Sequence, residues 1–97
     1  MPKAYWVVCY HKVNNPEKLA AYAKLAGPAI AAAGGRFLVR GNPAKVYEKG
    51  MNMRTVVTEW ESLERAIAGH ESPGYQEALR VLGDAVERDL RIVEGAA

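Results

Sequence analysis

Two histidines and one cysteine are present in the 97 residues, together with two charged side chains set among apolar ones near the ends of β-rich segments. These residue types offer limited chemistries. A histidine titrates near neutral pH and can carry a proton, but His11 and His70 both fall at apolar-face positions, where a structural imidazole is the commoner use. A metal ion needs three or four His, Cys, Asp or Glu ligands brought close together. No HxH, HxxxH or CxxC spacing exists in the chain, so no metal site and no cofactor are expected. Cys9 lies in the middle of an apolar run and reads as an inert, buried thiol. The glycines around 34–41 form neither GxGxxG nor a P-loop and follow a helical pattern instead of a strand.

Arg40 and Glu59 are the more informative pair. A charge beside apolar strand positions is costly to bury unless it is paired. Two readings fit them: a salt bridge that fixes strand register, or an anion anchor (Arg40) beside a general base (Glu59) at a common cavity. His70 joins Glu59 as a candidate catalytic group, and Tyr10, Tyr22 and Tyr75 join Arg40 as candidate ligand-binding groups through their hydroxyls. Aromatic packing alone also accounts for the tyrosines.

The elements that would position these residues follow from periodicity. Residues 4–13 (AYWVVCYHKV) are β-branched and aromatic and predict a strand, apolar on both faces, so both faces are expected to be covered. Asn15-Pro16-Glu17 has the cap, first-turn proline and acidic residue of a helix start. Leu19, Tyr22, Ala23, Ala26, Ile30 and Ala33 fall on one helical face. Gly27-Pro28 predicts a kink or two short helices, and Gly34-Gly35 a left-handed stop. Residues 36–40 read as a second strand, bent at Gly41-Asn42-Pro43 and resumed over 44–48. A turn at 49–52 leads to a third strand over 53–60, antiparallel to the second. Ser62 and Ser72-Pro73 start two helices, the latter carrying Tyr75, Leu79, Leu82 and Val86 on one face. Residues 90–94 close the chain as a strand.

Thirteen basic and eleven acidic residues leave a net charge of +2 with the signs interspersed, which argues against nucleic acid as a partner. No apolar run approaches the roughly 18 residues that would span a membrane, and the first residues lack the apolar core of a signal peptide. A cytoplasmic protein without membrane partners is expected. The order β-α-β-β-α(α)-β predicts an α+β, ferredoxin-like domain over residues 1–97, with a four-stranded antiparallel sheet. Helices cover one face of such a sheet, so the second apolar face calls for a second copy of the chain.

The stretches AYWVV, NNPEKLAAY, GPAIAAAGGRFLVRG, SLERA and SPGYQEALR make the chain resemble the DUF1330 family of the dimeric α/β-barrel superfamily. The resemblance implies a ferredoxin-like fold and a face-to-face sheet dimer, and supplies no function. The chain departs from the family pattern at Gly69 and His70, where bulky aromatics are usual, and at Glu61, where proline is usual. The expected function is a homodimer that binds or transforms a small organic molecule in an apolar cavity without metal. The alternative is a non-catalytic dimerisation or interaction module.

Overall fold

The computed structural model describes residues 2–96. The chain runs β1 (Ala4–Val13), α1 (Pro16–Ala33), β2 (Arg36–Gly41), β3 (Thr55–Trp60), α2 (Leu63–Glu71), α3 (Pro73–Leu82) and β4 (Val86–Glu94). All pairings are antiparallel and the strand order is β2-β3-β1-β4. This is the ferredoxin-like α+β arrangement, with the three helices on one face of the sheet. Among the described residues, no helix is long and apolar enough to cross a membrane.

The caps behave as their side-chain chemistry dictates. Asn15 accepts the Lys18 amide, Ser62 accepts that of Arg65, and Ser72 accepts that of Tyr75. Ser72 also donates to the Gly69 carbonyl at 2.8 Å, so one residue closes α2 and opens α3. Gly34, at φ 104°, ends α1 through backbone bonds to Ile30 and Ala31.

The helix-facing side of the sheet forms the core. Ala4, Trp6, Val8 and Tyr10 of β1 alternate inward and pack with Thr58 and Trp60 of β3, Tyr22, Ala26 and Ile30 of α1, and Tyr75, Ala78 and Leu82 of α3. The Trp6 and Trp60 rings stack 4.8 Å apart. Trp6 donates to the Ala66 carbonyl, and Trp60 to the Thr58 hydroxyl, so neither indole N–H is left unpaired by burial. Trp60 lies between two glycines, Gly35 and Gly69, at each of which a Cβ would collide with its ring. The space over Gly69 is therefore already filled from β3.

The opposite face carries Tyr5, Val7 and Cys9 of β1 with Val57 and Glu59 of β3, all partly exposed. Val39 and Val93 at its edges are about half exposed.

Four expectations about the elements are corrected. First, α1 is one uninterrupted helix through Gly27-Pro28, not two short ones. Pro28 deprives the Lys24 carbonyl of its donor, but both residues are exposed, where water can serve that carbonyl. Second, β2 stops at Gly41 and residues 44–48 are not strand: Pro43 has no N–H, Glu48 has φ 55°, and the Gly50 amide closes a turn onto Tyr47. The link to β3 is thus the loop 42–54. Third, the register irregularity of β2 falls at Leu38, between Phe37 and Val39, and not at Gly41. Fourth, α3 ends at Leu82, and Gly83 caps it with φ 52°. Val86 therefore belongs to β4, which begins four residues earlier than expected.

Candidate functional site

The early start of β4 places Arg88 directly opposite Tyr10. Inward positions on β4 are then Val86, Arg88, Leu90 and Ile92, so the guanidinium points under the helices. Two more tyrosines meet it there. Tyr22 comes from the buried stripe of α1, and Tyr75 from the first turn of α3, where Pro73 and the Ser72 cap fix the helix start. The Tyr22 and Tyr75 hydroxyls are 2.7 Å apart. Arg88 donates from Nη1 to Tyr10 (3.1 Å) and Tyr22 (3.4 Å), and from Nη2 to Tyr22 (3.4 Å) and Tyr75 (3.2 Å). Its guanidinium carbon also lies 5.5 Å from the Tyr10 ring centre and 5.1 Å from that of Tyr22, close enough for cation–π attraction.

This cluster forms one end of a cavity of about 350 Å3 between α1 and the sheet, a size that suits a small organic ligand. The floor is Trp6, Val8, Val56 and Phe37, and the roof is α1, where Ala20, Ala23, Ala26 and Gly27 keep the space open by being small. Arg40 and Arg54 line it on the β2 side. Arg40 stacks on Phe37, its guanidinium carbon 4.4 Å from the ring centre. Among the described residues, the charged groups on this wall are three arginines; no Asp, Glu, His, Lys or Cys contributes.

Burial pushes the Tyr22 phenol well above its ordinary value, with the adjoining Tyr75 adding to the rise and Arg88 opposing it. Tyr22 is therefore a proton holder, not a base. Burial also works against the charge on Arg88, but the three facing phenols outweigh it and the guanidinium holds its proton even more tightly than usual.

The structure brings Tyr10, Tyr22, Tyr75 and Arg40 to this one cavity. It does not bring Glu59 or His70 there. Arg40 pairs across the ladder with Val56, whereas Glu59 pairs with Arg36. Positions 56 and 59 differ by an odd number, so Arg40 and Glu59 face opposite sides of the sheet, and the expected Arg40–Glu59 pairing does not form. On the helix-free face Glu59 accepts a hydrogen bond from the Tyr5 hydroxyl (3.1 Å) and meets Arg36 Nη2 at 3.2 Å. That hydrogen bond raises the Tyr5 phenol above its ordinary value. His70 packs its ring 5.7 Å from Trp6 and 5.2 Å from Tyr75, with Nδ1 3.3 Å from Glu71. His11 sits on the helix-free side of β1, with Nε2 2.7 Å from Asp89. Among the described residues, no group of three or more His, Cys, Asp or Glu could hold a metal ion.

Arg88 and Arg54 are the wall residues that the sequence reading passed over. The missed signal was the alternation Val86, Arg88, Leu90, Ile92, in which a single cation interrupts an apolar strand face.

Solved structures share this fold over nearly the whole chain. A protein of unknown function from Rhodopseudomonas palustris superposes with a TM-score of 0.76 at 16% identity, covering 99% of this chain and 84% of that one. SnoaB, a cofactor-independent oxygenase from Streptomyces nogalater, gives 0.64 at 12% identity, covering 100% and 96%. A nipsnap family protein of unknown function from Agrobacterium tumefaciens gives 0.60 at 17%, covering 98% and 89%. These likenesses show the ferredoxin-like α+β fold. None of the curated proteins compared matches the sequence. Residues 3–96 match the family described as a domain of unknown function, DUF1330, and the chain belongs to that family.

Proposed function

We propose that this protein binds a small organic molecule in the cavity beneath α1, and that it works as a homodimer joined through its helix-free sheet faces. One observation carries the binding reading: a cavity of about 350 Å3 is apolar along floor and roof yet receives four convergent polar side chains, Arg88 and three tyrosines, at one end. A core built for stability alone gains nothing from holding a guanidinium against three phenols beside open space. Tyr10, Tyr22 and Tyr75 are the polar contacts of this site, and Arg40 borders it. The likeness to a cofactor-independent oxygenase is compatible with turnover of the bound molecule. Among the described residues, the cavity wall holds no side chain of the usual general-base types, so the reading is binding first.

The homodimer rests on the helix-free face, where Tyr5, Val7, Cys9, Val57, Val39 and Val93 leave an apolar surface partly exposed. Light scattering should give about twice the 10.6 kDa chain mass; a folded monomer would refute the pairing. The binding reading is tested by screening a library of small organic molecules for thermal stabilisation, since a ligand of the native state raises the midpoint by mass action. Ala23, exposed on α1 and facing the cavity, offers the control. Ala23→Phe should fill the space and abolish the shifts while leaving the fold intact. Shifts that survive in that variant would place binding elsewhere.

A further inference from the structure

Resting on that reading of the cavity, we infer that its ligand is an organic acid: an apolar, planar body whose carboxylate is received by Arg88 together with the hydroxyls of Tyr10 and Tyr75.

The argument is a count of donors and acceptors. Each tyrosine hydroxyl has one hydrogen to donate and two lone pairs to accept with. Arg88 supplies hydrogens only, and all three hydroxyl oxygens accept from it. The three hydroxyl hydrogens then need acceptors of their own. One is used within the Tyr22–Tyr75 contact, in whichever direction it runs. Tyr22 already accepts from both Nη1 and Nη2, so the donor in that contact is Tyr22, and its proton is the tightly held one. Among the described residues, no acceptor is recorded for the other two hydrogens, those of Tyr10 and Tyr75.

The cluster is therefore short of acceptors and carries an uncompensated positive charge, since Arg88 has no carboxylate partner among the described ion pairs. A carboxylate corrects both deficits at once. It brings lone pairs in one plane for the two hydroxyls, and its charge neutralises the guanidinium, whose four Nη hydrogens the phenols already take. A neutral alcohol or amide supplies an acceptor but leaves the charge, and an amine worsens it. The rest of the wall agrees in sign, because Arg40 and Arg54 are its remaining charged members. The body of the ligand is set by the floor, where the rings of Trp6 and Phe37 with Val8 and Val56 offer flat apolar contact, and the Thr58 hydroxyl beside them already accepts from Trp60.

The test uses a matched series on the full-length protein at pH 7: 2-naphthoate, 2-naphthamide and 2-naphthylmethylamine, with inorganic phosphate as an anion lacking an apolar body. Titration calorimetry and thermal shift are read together. The naphthoate should bind at least tenfold more tightly than the amide, and the amine and phosphate should give no shift. Tyr10→Phe and Tyr75→Phe keep the packing and each remove one donor. Each should weaken naphthoate binding by threefold to tenfold and amide binding by less, since a hydrogen bond to the charged carboxylate is the stronger. Arg88→Lys should retain part of the preference if Arg88→Met fails to fold. Equal binding of acid and amide would overturn the acid assignment while leaving the cavity in place. Phosphate binding as tightly as naphthoate would overturn the apolar-body requirement. Binding of none of the four, with no shift from a wider neutral set, would remove the cavity reading itself.

Discussion

The glycine clamp around Trp60 gives the most quantitative prediction. At Gly35 an added Cβ would lie 2.6 Å from Ile30 Cγ2 and 2.6 Å from Trp60 Cζ2. Neither neighbour can yield cheaply, because Ile30 is 4% and Trp60 1% exposed, and the indole is stacked on Trp6. Overpacking of this kind costs about 1–3 kcal/mol. The gain from restricting the unfolded chain offsets about 0.5 kcal/mol of it. A chain of this size loses about 5 °C of midpoint per kcal/mol, so Gly35→Ala should melt roughly 3–12 °C lower. Gly69→Ala meets the other side of the ring and should cost a similar amount, despite its gain in helix propensity of about 1 kcal/mol. Gly41→Ala is the control, since a Cβ there meets nothing within 4 Å and its φ is ordinary; its midpoint should move by less than about 3 °C. Thermal melts followed by circular dichroism decide the matter. Removing part of the ring should restore the loss, so Trp60→Phe should cost less in the Gly69→Ala background than in the parent. Gly35→Ala melting with the parent, or strictly additive effects at 60 and 69, would refute the clamp.

Three further outcomes follow from the same geometry. Tyr22 holds its proton above the ordinary tyrosine value of 10.0 in the folded state, so the stability it contributes is complete below pH 10 and falls above it by up to about 1.4 kcal/mol per pH unit; melts at pH 9 and 11 should show a shallower alkaline loss in Tyr22→Phe, and an unchanged slope would contradict the assignment. Arg40 is exposed and unpaired with Glu59, so Arg40→Met should change stability by less than about 1 kcal/mol in a urea titration, where a buried register-fixing pair would have cost about 3–5 kcal/mol. Pro28 leaves α1 one carbonyl short of a donor without breaking it, and Pro28→Ala should hold or raise the stability; a loss of more than about 3 kcal/mol would mean that the core depends on the proline.

Local chemistry was legible from the residues themselves. Asn15, Ser62 and Ser72 announce helix starts because a side-chain oxygen there satisfies an amide that the helix cannot, and each does so in the structure. The two-residue alternation of β1 told which of its side chains share a face, and Trp6, Val8 and Tyr10 are indeed buried together. The stripe Tyr22, Ala26, Ile30 on α1 was readable for the same reason, one period against another. Tyr10, Tyr22 and Tyr75 were visible as hydroxyls among apolar positions, but nothing local says that residues from β1, α1 and α3 end within hydrogen-bonding reach of one another. That depends on where the helices cross the sheet, a property of packing. Arg88 was hidden by a boundary: Val86 continues the helical spacing of Leu79 and Leu82 as well as it begins the strand face of Leu90 and Ile92, and only the stop at Gly83 and the ladder with β1 choose between them. The separation of Arg40 from Glu59 is likewise a matter of register, since Leu38 adds a residue to β2 and the parity of every position beyond it depends on that insertion.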